Sequence, residues 1–373
     1  MSVFSAFDYQ MMSKAIALAK RGVYTTTPNP NVGCVLAKAG QIVGEGYHVQ
    51  AGGPHAEVHA LRQAGAQAKG ATAYVTLEPC SHYGRTPPCA EGLIQAGVVK
   101  VICAMQDPNP QVAGRGIAML QAAGIEVLTG LLEADANALN PAFLKRMKTG
   151  MPWVQLKMAA SLDGQTALAN GVSQWITSVE ARADVQKFRA KASAILSTSQ
   201  TVIADDAALT VRHQALPESV GQRYPLAELR QPVRIILDQH HRLHAGLKLY
   251  DGDGAVLTVG QDDADICVAL DSTGKLDLRA LLCQLADKHQ INHLWVEAGA
   301  TLSQALLSQQ LVDEIILYLA PKLMGSDGRG LFGQFGFESM QDVFQLDIAD
   351  VVRVGPDIRM TVIPQYHSPN VQI

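Results

Sequence analysis

The chain has 373 residues, more than one hydrophobic core usually organises, so two domains are expected. Hydrophobic residues are 48% of it and charged residues 17%, a globular composition that excludes a disordered chain. A formal net charge of −4 gives no sign of the broadly basic face that general nucleic-acid binding uses. The cysteines Cys34, Cys80, Cys89, Cys103, Cys267 and Cys283 are too sparse for a secreted disulfide framework. The first eight residues, Met1 to Asp8, lack the basic and apolar regions of a signal peptide. No apolar run approaches the roughly 20 residues of a membrane helix. A cytoplasmic protein with reduced thiols, without nucleic-acid or membrane partners, is expected.

In chain order, Ala15, Ile16, Leu18 and Ala19 predict an amphipathic opening helix that closes near Gly22. Thr27-Pro28-Asn29-Pro30-Asn31 reads as a loop. Gly33–Ala37 and Gln41–Tyr47 read as a strand pair turning at Gly40. A helix over His55–Gln63 follows a Gly-Gly-Pro break, then a buried strand over Ala73–Leu77 runs into Glu78-Pro79-Cys80. Cys89–Ala96 and Gly116–Ala123 read as helices, Val98–Ala104 and Ile125–Leu128 as strands. Strands alternating with helices over short links predict an α/β layered sheet.

The basic segment Leu139–Met151 ends in Gly150-Met151-Pro152, and the domain boundary is placed there, giving domains 1–149 and 150–373. Beyond it, Trp153–Ala159, Val233–Asp238, His293–Glu297 and Glu314–Leu319 read as strands, and Val179–Lys191 and Thr301–Ser308 as helices. The second half is therefore α/β as well.

The first half carries His55-Ala56-Glu57 and, downstream, Pro79-Cys80 and Cys89. Zinc accepts imidazole nitrogen and thiolate sulfur, and a catalytic zinc keeps three protein ligands with the fourth position open to water. The metal brings that water's pKa near neutrality. His55, Cys80 and Cys89 are the predicted ligands, and Glu57 the predicted catalytic acid/base, as in the H-x-E and P-C-x-x-C pattern of base deaminases. The chain departs from that pattern, because eight residues separate the two cysteines. At a helix N-terminus Glu57 is expected to stay ionised. Cys34 and Cys103 lie in apolar strands and are assigned to the core, and His59 to a helix face.

These motifs, with the stretch Thr76-Leu77-Glu78-Pro79-Cys80-Ser81-His82-Tyr83-Gly84-Arg85-Thr86-Pro87-Pro88-Cys89, resemble the bifunctional riboflavin-biosynthesis deaminase/reductase family. Thr27–Gly33 and Met105–Pro110 are similar to it too, and the wide cysteine spacing is that family's own. The resemblance implies a cytidine-deaminase-like, three-layer N-terminal domain. It implies a pyrimidine ribotide substrate, 2,5-diamino-6-ribosylamino-4(3H)-pyrimidinone 5′-phosphate, which loses its 2-amino group as ammonia. Asn29, His48, His82 and Arg85 would then contact that substrate.

Composition and spacing do not identify the second half. Its one informative local feature is the strand Leu294–Glu297 running into Ala298-Gly299-Ala300-Thr301 and a helix, a turn that could receive phosphate or be a plain connection. Lys157–Gly164, Ser173–Thr177, Ala204–Asp206, Leu209–Arg212 and Val296–Gly299 are similar to the family's reductase domain. That resemblance implies a dihydrofolate-reductase-like C-terminal domain that uses NADPH to reduce the ribosyl chain to ribityl. Ala159, Trp175, Thr201, Asp205 and the run Gly299, Ala300, Thr301, Leu302, Ser303, Gln304 and Ala305 would hold NADPH. Ser173, Arg189, Leu209, Arg212 and Glu297 would hold the substrate, the two arginines suiting its phosphate. Ala207 and Ala298 stand where the family often has proline and glycine. The family is generally oligomeric, so a homo-oligomer is expected.

Two other readings compete. One is a zinc deaminase of nucleosides or tRNA adenosine with a non-catalytic second domain, against which the cysteine spacing and the charge balance speak. The other is a binding protein with a structural zinc, which would want a fourth Cys or His ligand.

Overall fold

Strands that are apolar at every position need cover on both faces, and the first half of the chain supplies it. The computed structural model describes residues 3–81, 83, 87–109, 112–222 and 226–366. It divides into two units, Met1–Met151 and Pro152–Ile373.

The first unit runs α1 (Ala6–Ala19), β1 (Gly33–Lys38), β2 (Gln41–Tyr47), α2 (Ala56–Ala64), β3 (Thr72–Val75), α3 (Cys89–Gln95), β4 (Lys100–Cys103), α4 (Arg115–Ala122), β5 (Glu126–Thr129), α5 (Glu133–Leu139) and α6 (Pro141–Thr149). The sheet order is β2-β1-β3-β4-β5, with β2, β1 and β3 antiparallel neighbours and β3, β4 and β5 parallel. Successive strand residues face opposite ways. Val35, Tyr74 and Ile102 pack with Met12, Ile16, Phe143 and Leu144 on one face. Cys34, Leu36, Val75, Val101 and Cys103 pack with Ala56, Ala60, Leu93 and Leu120 on the other. The result is helix, sheet and helix in three layers.

Helices α5 and α6 are not apparent in the sequence, where Leu139–Met151 reads only as a basic boundary. Each lasts about two turns and carries charged residues, which mask its apolar face, yet Phe143 and Leu144 are buried. Strand β3 ends at Val75, two residues early, because Thr76 leaves the ladder. Its N–H donates to the Gly33 carbonyl and its hydroxyl accepts from the Gly33 N–H, each at 3.1 Å.

The second unit runs β6 (Trp153–Ser161), β7 (Gln165–Ala167), α7 (Val179–Lys191), β8 (Ala194–Thr198), α8 (Ser199–Asp205), α9 (Glu218–Gly221), β9 (Val233–Leu237), β10 (Val256–Gly260), β11 (Ile266–Cys267), α10 (Leu278–Asp287), β12 (His293–Glu297), α11 (Ala300–Ser308), β13 (Glu314–Ala320), β14 (Arg329–Gly330), β15 (Gln345–Val354) and β16 (Asp357–Gln365). Its main sheet has the order β11-β10-β9-β8-β12-β6-β13-β16-β15. Neighbours from β11 to β13 are parallel, and β16 and β15 close one edge as an antiparallel hairpin. Ile195, Ile236, Trp295, Ile316 and Tyr318 pack beneath α7, where Phe188 stacks on Trp295 with centroids 4.9 Å apart. Strands β8 and β12, which lie side by side, lead into α8 and α11. Crevices at such carboxyl ends are where open parallel sheets bind ligands.

One contact sets the height of the first unit's helical layer. A Cβ built on Gly46 of β2 would lie 2.3 Å from the Ala56 carbonyl oxygen, and one on Gly44 2.2 Å from that of Ala60. Helix α2 thus lies on bare strand backbone, closer than any side chain permits. Gly46→Ala is expected to destabilise the protein by about 1–3 kcal/mol, the usual cost of overpacking. Urea unfolding checks this, and an unchanged midpoint would show that the helix can retreat freely.

Candidate active sites

The close seat of α2 brings its N-terminus to the loops after β3. His55 is the extended N-cap residue of the helix, at φ −74° and ψ 167°, and Glu57 lies in the first turn. Cys89 opens α3, and Cys80 sits in the loop beyond β3. The Nδ1 of His55 is 3.6 Å from the Cys80 Sγ and 3.3 Å from the Cys89 Sγ. One donor atom from each residue lies within 4.8 Å of the others, and the Cys89 N–H donates to the Cys80 Sγ at 3.3 Å. Tetrahedral zinc with ordinary bond lengths holds its nitrogen and sulfur donors about 3.5–3.8 Å apart. The cluster therefore fits zinc with no rearrangement of main chain.

Among themselves the three side chains form a hydrogen-bonded group that shares its protons. Hydrogen bonding from the Cys89 thiol and the His55 ring pulls the Cys80 thiol down to about 4. Its hydrogen bond to Cys80 lifts the His55 ring to about 9, and the same partnership with burial pushes the Cys89 thiol up. Glu57 is 3% exposed, and its Oε2 is buried with no hydrogen-bond partner. Burial raises its carboxyl above the ordinary value while His55 pulls the other way. The helix N-terminus favours the ionised form, and burial opposes it.

Asn29 and His48 join this cluster. The His48 ring is 3% exposed and stands edge-on to the His55 ring, with centroids 5.4 Å apart. Its Nδ1 lies 3.0 Å from the Pro54 carbonyl and its Nε2 3.1 Å from the Asn29 Nδ2. The ring therefore carries its proton on Nδ1 and accepts from Asn29 at Nε2. Burial lowers its pKa, which keeps it neutral. His82 and Arg85 lie outside the described residues. Cys34 and Cys103 are fully buried in the sheet.

In the second unit the charged centre is Glu297, at the end of β12. The Arg189 Nε and Nη2 donate to its two oxygens at 2.6 and 2.9 Å, and the Trp295 Nε1 donates to Oε1 at 2.8 Å. Burial alone would raise this carboxyl, but Arg189 and Lys157 hold it down to about 2. The Arg189 Nη1 donates to the Thr210 carbonyl at 2.9 Å, so this guanidinium is engaged on two sides. Arg212 is exposed, two residues further along that loop, and senses the charges of Arg189 and Arg182. Leu209 is buried with φ at +52°, and turns the chain between them.

Around this centre, the Thr198 hydroxyl caps α8, accepting from the Thr201 N–H at 3.2 Å. The Trp175 ring is 62% exposed, with the Arg182 guanidinium 4.4 Å from its centroid. Ser173 is half-buried in the same segment. Asp205 is raised by desolvation, against a hydrogen bond from Gln174 and the charge of Lys157. Nothing approaches the position of a Cβ on Gly299, and Ala300 and Thr301 follow it as the open first turn of α11. The side chains of Leu302 and Ser303 are buried, Gln304 donates to the Gln334 carbonyl, and Ala305 is half-buried. Any ligand at this terminus therefore meets main chain and the first residues of the run. Ala159 is half-buried near the end of β6.

Sequence reasoning missed Lys157, whose ammonium faces Glu297, Arg189 and Asp205 and is lowered by burial. The available signal is that Lys157 is the one charged residue of strand β6. It also missed Glu78, a buried carboxylate two residues before Cys80.

Known proteins place both units. Residues 5–105 match the cytidine and deoxycytidylate deaminase zinc-binding region, and residues 152–360 match the RibD C-terminal domain. The chain is 55% identical over 359 residues to the riboflavin biosynthesis protein RibD of Escherichia coli, covering 94% of this chain and 98% of that one. The Acinetobacter baumannii RibD structure superposes with a TM-score of 0.89 at 48% identity, covering 96% and 99% of the two chains. The Thermotoga maritima diaminohydroxyphosphoribosylaminopyrimidine deaminase/5-amino-6-(5-phosphoribosylamino)uracil reductase superposes with a TM-score of 0.83 at 31% identity and the same coverage. The chain belongs to the RibD family of riboflavin biosynthesis, enzymes that carry a zinc-binding deaminase and a reductase on one polypeptide.

Proposed function

We propose that the first unit deaminates 2,5-diamino-6-ribosylamino-4(3H)-pyrimidinone 5′-phosphate with His55, Cys80 and Cys89 as zinc ligands and Glu57 as acid/base. The second unit then reduces the ribosyl chain of 5-amino-6-(5-phosphoribosylamino)uracil to ribityl with NADPH. The observation that carries the first step is the unpartnered, buried Oε2 of Glu57 beside the His/Cys/Cys cluster. A buried carboxylate oxygen without a donor is costly, and a reacting water is the partner it lacks.

Zinc bound by the three ligands supplies a Lewis acid that lowers the pKa of a water to near neutrality. Glu57 accepts that water's proton as the oxygen attacks the amino-bearing ring carbon. It passes the proton to the adjacent ring nitrogen, then carries a second proton to the departing ammonia. Asn29, fixed by His48, faces the pyrimidine as a hydrogen-bonding edge. His82 and Arg85, which stand between the two cysteine ligands in the sequence, would contact the same substrate by the family resemblance.

In the second unit NADPH supplies a hydride. Ala159, Trp175, Thr201, Asp205 and the stretch from Gly299 to Ala305 would hold the dinucleotide, the main-chain N–H groups in the first turn of α11 suiting a phosphate. Ser173, Leu209, Glu297 and the two arginines hold the ribotide. Arg212 takes its phosphate, while Arg189 orients Glu297 and the Thr210 carbonyl and adds positive charge. Asp205 delivers the proton that hydride transfer to C1′ requires. No described helix is long and apolar enough to cross a membrane. Six free cysteines support a cytoplasmic setting. Exposed Leu346, Ile348 and Val351 on the edge strand β15 support assembly of the chain as a homo-oligomer.

Glu57→Gln is expected to keep its zinc and lose about 10²–10⁴-fold in ammonia release, the usual share of a general acid/base. Full deamination by that variant would remove Glu57 from the mechanism. Supplied with the diaminopyrimidine ribotide alone, the enzyme is expected to release ammonia, and on adding NADPH to consume it afterwards. Ammonia without any loss of nicotinamide absorbance would leave a deaminase only. For Arg212→Ala, the reductase KM for the ribotide should rise about 10- to 100-fold, the worth of a charge-assisted phosphate contact, with the KM for NADPH little changed. The reverse ranking would exchange the two binding regions.

The Glu297 carboxyl, held near 2 against an ordinary 4.5, contributes stability that is complete above about pH 5 and drains away as the pH falls toward 2. Glu297→Gln should therefore be less stable than the parent at pH 7, and the gap should narrow on acidification. Each tenfold difference in proton affinity is worth about 1.4 kcal/mol. Urea midpoints at pH 7, 5 and 3.5 check this, and a gap that widens in acid would contradict it.

A further inference from the structure

Between the end of β3 and the ligand Cys80 the chain has no regular structure, yet the Cys80 sulfur must stay in place. Glu78, 3% exposed, is the anchor in that stretch. Its Oε1 accepts from the N–H groups of Gly116 and Ile117 at 2.9 and 3.1 Å. Its Oε2 accepts from those of Gly114 and Asp107 at 2.9 and 3.2 Å. Its own N–H donates to the Met105 carbonyl at 3.0 Å. One carboxylate thus takes four main-chain donors, three of them at the first turn of α4. The helix end is drawn so close that a Cβ on Gly116 would lie 2.0 Å from the Pro79 carbonyl oxygen. Pro79 leads directly to Cys80, whose carbonyl accepts from the Ala90 N–H at 3.2 Å beside the third ligand, Cys89.

We infer that Glu78 is a positioning residue of the deaminase, whose carboxylate locks α4 and the Asp107–Asn109 loop onto the chain carrying Cys80 and so holds its sulfur in register with His55 and Cys89. This gives a role to Met105–Asn109, a stretch the zinc chemistry leaves unused. The chemistry of the anchor is specific. A neutral amide at this position offers one acceptor oxygen and turns an NH2 toward two N–H groups, so two of the four bonds are lost. Groups that orient metal ligands typically change metal affinity by about 10- to 100-fold when removed.

The inference rests on the zinc reading, so the test begins with metal content in the full-length parent. Zinc near one per chain supports that reading, and its absence removes both. Release of zinc to a chromogenic chelator is then timed for the parent, Glu78→Gln and Ile117→Pro. The last variant removes one of the four N–H donors, in a first helical turn where that N–H has no partner within the helix. Glu78→Gln is expected to release zinc about 10- to 100-fold faster and Ile117→Pro to release it faster by a smaller factor. The visible bands of the cobalt-substituted variants should shift, since the sulfur donor moves. Reductase turnover, which depends on the second unit, should be unchanged. If Glu78→Gln fails to fold its unit, Ile117→Pro decides. Parent-like zinc release and cobalt spectra, even with a lowered melting temperature, would falsify the positioning role and leave Glu78 a stabilising residue only.

Discussion

The deaminase site depends on the distance between α2 and β2. Gly44 and Gly46 let the helix backbone rest on strand backbone, with the Ala60 and Ala56 carbonyl oxygens filling the places of absent side chains. The N-terminus of α2 then stands level with the loops that carry Cys80 and Cys89. A methyl group at Gly46 would have to displace the turn that holds His55 and Glu57, and donor atoms now 3.3–3.6 Å apart would separate. The same closeness buries Glu57. Glycine within a strand weakens it, so this geometry carries a stability cost that the packed layers on both sheet faces offset.

Three glutamates with little exposure show how the number of donors decides what a carboxylate can do. Glu78 receives four main-chain N–H groups and has no bond to spare, which suits it to hold backbone. Glu297 receives three donors from Arg189 and Trp295, so it stays ionised and serves as a fixed negative charge beside Lys157. Glu57 keeps one oxygen without any protein donor. Only the last can take up and give back a proton without breaking the structure around it, because no protein hydrogen bond to that oxygen has to be broken.

Much of this was legible in the sequence. The strand-helix alternation predicts layered α/β domains, and His55, Cys80 and Cys89, chosen by residue type and order because zinc accepts few kinds of ligand, come together in the fold. What stays hidden is hidden for physical reasons. The apolar faces of α5 and α6 are masked by their charged residues, and Ala136, Phe143 and Leu144 acquire meaning only against α1 and the sheet. The anchoring role of Glu78 depends on N–H groups some 30 to 40 residues away, and nothing in local spacing marks it. Arg189 and Arg212 look alike as sequence. Only the structure shows that Arg189 is bound to Glu297 and Thr210 while Arg212 is exposed.

The two units answer the same difficulty in different ways. Each must hold a charged or reactive group in a largely dry environment, where an unmatched charge is expensive. The first unit brings His55, Cys80 and Cys89 to one point beside a carboxylate oxygen without a protein donor, an arrangement that suits a cation and a water. The second has no cluster of soft ligands among its described residues. It instead balances Glu297 against Arg189 and Lys157 within the protein and leaves positive charge at Arg212 and N–H groups at the start of α11, an arrangement that suits an anionic ligand. A first site completed by a metal-activated water and a second completed by phosphate-bearing ligands divide the proposed chemistry as its two steps require. Hydrolysis acts on the pyrimidine ring, and reduction acts on the phosphorylated sugar at the other end of the same molecule.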